Sequence, residues 1–208
     1  MIRMRKEHLV KDVLGPFGAV GGAWAAVAAV EYFHLPLANL WIFVLAVYAG
    51  VYLLAAVVTV WAAIHAWRTL DGPMWSAAVL AVAIAAAAAI QLVDWLPVYV
   101  HGNYRLNRAA FAAVAALSAD GSLTSDDYYG APLPWNLKYL AYAGNAATIG
   151  AVDDSGRTAL FLAVWVGIPD DAIGYVYLGD SPPAQGYDCF GYICQVDRSL
   201  GDGWYWVQ

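Results

Sequence analysis

Leu40–Trp67 reads LWIFVLAVYAGVYLLAAVVTVWAAIHAW, 28 residues without an Asp, Glu, Lys or Arg. As an α-helix this stretch would extend about 42 Å, against roughly 30 Å of bilayer hydrocarbon. It predicts a membrane-spanning helix that tilts or lifts one end into the headgroups. Two weaker apolar runs flank it. The run on its N-terminal side covers 14–33, opens with Gly15-Pro16 and is Ala-rich. Pro16 is expected in the first helical turn, where the missing N–H has no partner anyway. The third run covers 75–96, and Pro97 follows it. His34–Asn39 separates the first run from the second. Arg68, Asp71, Gly72 and Pro73 turn the chain between the second and third. Trp41, Trp67, Trp75 and Trp95 stand at run ends, where indole rings favour the membrane interface.

Composition supports this partition. Of the 208 residues, 62% are hydrophobic and 12% charged, about half the charged share of an ordinary soluble domain. Residues 14–100 contain only four charged side chains, Glu31, Arg68, Asp71 and Asp94. Residues 101–208 hold 11 aspartates and five basic residues, which accounts for the whole net charge of -6. Three parts are therefore expected. Residues 1–13 form a basic cytoplasmic N-terminus, 14–100 a membrane region, and 101–208 an extracytoplasmic α+β domain that is mainly antiparallel β. The orientation follows from Arg3, Arg5, Lys6 and Lys11 before the first run and Arg68 after the second, with no basic residue in 34–39. A cleaved secretory signal ending near residue 29 would leave two spans and the same exported domain. Such an acidic domain lacks the Lys/Arg patches that nucleic-acid binding needs. The use of Arg over Lys, with much Ala, Gly, Val and Trp, suits a GC-rich bacterial genome. The expected location is thus a bacterial plasma membrane.

Within the domain, residues 104–118 (YRLNRAAFAAVAALS) carry apolar positions at helical spacing and predict one amphipathic helix. A Gly/Asp/Pro-rich connector follows. Strands are predicted over Ala147–Val152, Thr158–Val166, Ile173–Leu178, Tyr192–Arg198 and Trp204–Val207. Turns are expected at Asp153–Gly156, at Ile168–Asp171, and at Gly201-Asp202-Gly203. Cys189 and Cys194, in CFGYIC, fit a disulfide across a tight hairpin turning at Gly191. So short a loop contributes roughly 2 kcal/mol on the loop-entropy account.

Candidate chemistry is sparse. Glu31, His34, Asp94 and His101 all fall near one end of the predicted spans. Two carboxylates and two imidazoles there suit a metal site or proton relay, or simply hydrated interfacial positions. His65 is expected to snorkel. Ser118–Asp127 resembles an EF-hand calcium loop over about a dozen residues, with Asp120 before Gly121 and Asp127 at the acidic end. Ala116 stands at the first ligand position, however, and Gly130, Pro132 and Pro134 interrupt an exiting helix. A polar turn ending the preceding helix is the simpler expectation. The seven serines include none in G-x-S-x-G, and neither H-E-x-x-H nor a P-loop occurs. Asp126-Asp127, Asp153-Asp154 and Asp170-Asp171 stand in turn sequence. No cofactor is implied.

Two interaction surfaces are expected. Gly18, Gly22 and Ala26 lie four apart on one helix face and suit close helix packing, with a second copy as the possible partner. Trp204, Tyr205 and Trp206 alternate along one strand, so at least one ring should be exposed to a partner protein or envelope ligand. The leading expectation is a binding or interaction domain carried on a membrane anchor, as in an accessory subunit, sensor or assembly factor. An envelope enzyme using Asp carboxylates and an oligomeric transporter or channel subunit are the alternatives.

Overall fold

The computed structural model describes the backbone of residues 2–70, 72–125, 127–153, 156–167 and 171–208, and side chains from Leu14 onward. The side chains of the basic N-terminal cluster, Asp71, Asp126, and the turn positions 154–155 and 168–170 lie outside the described residues. The chain divides into two compact units, Met1–Leu96 and Pro97–Gln208. The boundary falls four residues before the expected domain start at 101.

The first unit is helical: α1 (Ile2–Tyr32), α2 (His34–Ala38), α3 (Phe43–Thr69) and α4 (Pro73–Leu92). Among the described residues three helices are long and apolar enough to cross a membrane, over Leu14–Tyr32, Phe43–Thr69 and Pro73–Leu92. The second starts three residues later than the run at 40. The third stops at Leu92 rather than 96, because the chain leaves helical geometry at Val93. Pro16 sits inside α1 rather than in its first turn, since the helix extends back to Ile2. Alanine lets the three helices approach closely. Ala62, Ala63 and Ala66 of α3 meet Val20 of α1 and Val79 and Ala83 of α4. Farther along, Val27, Ala55 and Ile90 form a second contact layer. The outward faces are apolar as well, with Leu45, Leu53 and Ile84 exposed. Helices apolar on every side are those of a lipid-embedded bundle or a large protein core.

The second unit begins within α5 (Trp95–Leu106), followed by α6 (Arg108–Ala119). The single helix predicted over 104–118 is therefore two helices. It breaks at Asn107, whose backbone leaves helical dihedrals at φ -109°, ψ 18°, and whose side-chain amide shares the Asn103 carbonyl (3.0 Å) with its own backbone N–H (3.1 Å). Among the described residues eight strands follow: β1 (Ala131–Pro132), β2 (Asn145–Gly150), β3 (Thr158–Gly167), β4 (Asp171–Tyr177), β5 (Tyr187–Cys189), β6 (Tyr192–Cys194), β7 (Val196–Gly201) and β8 (Trp204–Val207). Six make an antiparallel sheet in the order β1-β2-β3-β4-β8-β7, and β5 pairs with β6 separately. The predicted strand over 192–198 is split at Gln195, whose N–H and C=O both bond Gln208. Cys189 and Cys194 are joined in a disulfide with Cα atoms 5.8 Å apart, across the β5–β6 hairpin that turns at Phe190-Gly191.

This sheet is buried on both faces, which decides the fate of its aromatics. On one face Tyr175, Trp204 and Trp206 gather around Phe111 of α6. On the other, Phe161, Val176 and Val207 pack with Tyr187, Phe190 and the disulfide of the β5–β6 hairpin. Three layers result: helices, six-stranded sheet and hairpin.

Candidate functional site

A groove of about 710 Å³ lies between α6 and the sheet of the second unit. One wall is alanine: Ala109, Ala112, Ala116 and Ala119 line it and stay exposed. Their spacing of three and four residues puts them on one helix face, and from 109 to 119 that face runs about 15 Å. The sheet side contributes Tyr177 and Trp204.

Tyr104, Arg108 and Asp202 supply the polar end, beside the first turn of α6. Arg108 donates twice to the Asp202 carboxylate, from Nε at 2.6 Å and Nη2 at 2.8 Å. The Tyr104 hydroxyl lies 3.0 Å from both Asp202 Oδ2 and the Gly201 carbonyl. Asp202 occupies the β7–β8 turn at φ 51°, between Gly201 and Gly203, which are also left-handed. The bonds from Arg108 and Tyr104 hold the Asp202 carboxyl below its ordinary value. Burial, then the Asp202 bond and charge, push the Tyr104 phenol up to about 12, so it remains a neutral donor. The end of the groove is thus a fixed ion pair flanked by a hydroxyl. Among the described residues Asp202 is the one carboxylate that lines the groove, and its pKa is lowered rather than raised.

A pH experiment tests the clamp. A depressed aspartate contributes stability above the ordinary value of about 3.9, and loses that contribution as pH falls through its lower folded value. Asp202→Asn is therefore expected to lower the unfolding midpoint at neutral pH, with a deficit that closes below about pH 4. Unfolding of the full chain followed across pH checks this; a deficit independent of pH would remove the clamp.

Several predicted site residues take other roles. Trp204 and Trp206 are 1% and 0% exposed, so both belong to the core rather than to an open strand face, although the edge of Trp204 reaches the groove. Tyr205 is half-buried against the hairpin layer. Alternation along β8 predicts one free face, but layers cover both. Among the described residues of the second unit the exposed rings lie elsewhere, led by Trp135 at 88% and Tyr139 at 62%. Both stand in a segment anchored beneath by buried Leu133, Leu137 and Leu140.

Glu31, His34 and Asp94 belong to the first unit and His101 to the second. Among the described residues no group of three or more His, Cys, Asp or Glu side chains is placed to hold a metal ion. Each of these two imidazoles donates through Nδ1 to a nearby backbone carbonyl, His34 to Glu31 at the end of α1 and His101 to Pro97 within α5. His65 stacks on Trp61. Asp120 accepts from the Ser122 amide, and Asp127 from that of Tyr129. These local turns occupy the carboxylates of the EF-hand-like segment, and β1 follows where a calcium loop would continue into a helix. Gly18, Gly22 and Ala26 are exposed on α1, on the face opposite Val20 and Val27.

Sequence reasoning missed the groove and the partners of Glu31. Tyr52 donates to Glu31 Oε1 at 2.8 Å, and Gln91 donates to the Tyr52 hydroxyl at 2.8 Å. The three come from α1, α3 and α4, so this chain of bonds ties the bundle together. A second tie links Trp24 to Thr59 at 3.2 Å. Polar residues in apolar helices were the available signal, but rotation of each helix decides which of them meet. Compared with known protein families, curated proteins and solved structures, the chain matches none.

Proposed function

We propose that this chain is a multi-pass plasma-membrane protein of bacterial type whose second unit lies outside and binds a partner protein or envelope ligand. In this reading α1, α3 and α4 cross the bilayer with the N-terminus cytoplasmic. The observation that carries the reading is the α6 groove: a small-residue wall about 15 Å long, two aromatic side chains opposite, and one charged end. Alanine lets a bound chain approach the helix backbone, while the Arg108–Asp202 pair gives the groove a polar terminus for orienting it. Such a mainly apolar cleft with few placed polar groups is the usual form of a binding site. The single, ionised carboxylate favours binding over acid–base catalysis by paired aspartates.

Impermeant maleimide labelling of the full chain tests this, because the native cysteines are joined as a disulfide. Ser199→Cys, on the exposed edge strand, should label in intact cells. Ala112→Cys, inside the groove, should label about tenfold more slowly in cells than after purification, the protection given by a ligand at roughly ten times its Kd. Labelling of Ser199→Cys only after lysis would reverse the orientation. Equal rates for Ala112→Cys in both settings would remove the groove as an occupied site.

A further inference from the structure

We infer that the groove between α3 and α4 is a site for one anionic phospholipid, its phosphate held by Arg68 and an acyl chain laid along the helices. This rests on the proposal that these two helices sit in lipid. The groove measures about 550 Å³ and is lined by Val60, Ala63, Ile64 and Leu80, with Trp67, Arg68 and Ser76 at one end. The apolar residues of α3 recur at helical spacing below Arg68. From Arg68 back to Val60 the helix rises about 12 Å, enough to carry much of an acyl chain.

Charge decides the headgroup. Arg68 is the only Lys or Arg between residues 14 and 100. It is exposed, and it stands in the last turn of α3, where a spanning helix reaches the interface. A guanidinium presents a planar fork that matches phosphate oxygens bidentately. Beside it the Trp67 indole and the Ser76 hydroxyl add donors at the same level, and indoles favour that depth. A basic pocket between membrane helices, open to the headgroup layer, is the arrangement that selects anionic lipids. A second copy of the chain fits poorly, since it would bury the one cation of the membrane region without a described acidic side chain in the groove lining.

Native mass spectrometry of the full chain in detergent tests the site, with phosphatidylglycerol and phosphatidylcholine of identical acyl chains as probes. One phosphatidylglycerol should be retained with about tenfold higher affinity than phosphatidylcholine, the effect of one charge-assisted pair. Arg68→Gln should bring the two lipids level, and Arg68→Lys should restore part of the preference. Val60→Trp fills the exposed wall of the groove without touching the charge, and it should weaken both lipids. Equal retention of the two lipids by the unaltered chain, or a preference that survives Arg68→Gln, would reduce the groove to ordinary annular lipid and overturn the assignment. Displacement of the bound species by inorganic phosphate would also overturn it, because the acyl chain would then contribute nothing. If Arg68→Gln does not fold, the two-lipid comparison and Val60→Trp still decide. Failure of the membrane reading itself looks different: the protein would stay dispersed without detergent.

Discussion

Phe111→Ala is expected to destabilise the second unit by about 3–5 kcal/mol, the usual cost of removing a fully buried phenylalanine. Phe111 is 0% exposed and is the side chain through which α6 grips the sheet. Its ring centroid lies 4.8 Å from that of Tyr175, 4.9 Å from Trp204 and 5.2 Å from Tyr104. The first two contacts are edge-on, the arrangement in which ring quadrupoles attract. These neighbours are themselves held: Tyr175 accepts from Asn103, and Tyr104 is bonded to the β7–β8 turn. They cannot collapse fully into the space, so the cavity term adds to the lost transfer energy. Whole domains are stable by about 5–15 kcal/mol, so one such loss consumes a large share. Denaturant unfolding of the full chain, followed by tryptophan fluorescence, measures it. A change below about 1 kcal/mol would mean that α6 is not fastened through this ring. The groove should be lost in parallel, since α6 is one of its walls.

Gly130→Ala is the second large expected effect, about 2–4 kcal/mol from steric overlap and backbone strain together. Gly130 has φ 86°, and a Cβ there would lie 2.1 Å from the Ala146 carbonyl oxygen and 2.4 Å from the Ala147 Cα. Those atoms belong to the β2 backbone and cannot swing aside as a flexible side chain would. The close approach brings the chain into pairing with β2 at Ala131. It also places Tyr128 and Tyr129 against Phe190. Gly121 supplies the control. Its φ is 78°, but nothing lies within 4 Å of the position a Cβ would take. Gly121→Ala should therefore cost only the left-handed penalty, about 1–2 kcal/mol. Comparable losses at both positions would show that conformation, and not close approach to β2, constrains Gly130. Denaturant midpoints of the two variants compared side by side settle the point.

Much of the architecture was legible before any fold was known. The apolar runs located the three long helices because each run is a local property of composition and length. Alternation and turn residues located β3, β4 and β8, and Cys189 and Cys194 stood at hairpin spacing. Helix ends were less legible. Where the third run leaves helical geometry, at Val93, no proline intervenes until Pro97. The break at Asn107 is a change of backbone dihedrals at one residue, which an apolar pattern does not register.

Site residues were the least legible. Arg108 was visible only as a charge on an alanine-rich helix, and Asp202 only as a turn residue. Their pairing spans 94 positions and exists because the β7–β8 turn comes back to the start of α6. Glu31 was visible as a lone carboxylate near a helix end; its bond to Tyr52 required α1 and α3 to be rotated toward each other.

The sequence by itself determined a chain of two kinds of material, three long apolar helices and an aromatic, acidic, mainly antiparallel unit with a disulfide hairpin. Those properties follow from short-range pattern: run length, alternation, turn chemistry and cysteine spacing. Tertiary structure alone decided which surfaces remain open. Covering β8 on both faces turned Trp204 and Trp206 into core and left Trp135 and Tyr139 outside. Docking α6 on the sheet made an alanine stripe into the wall of a groove. The physical reason is that burial is assigned by layers packing from distant parts of the chain, whereas a strand's own pattern records only that its side chains alternate.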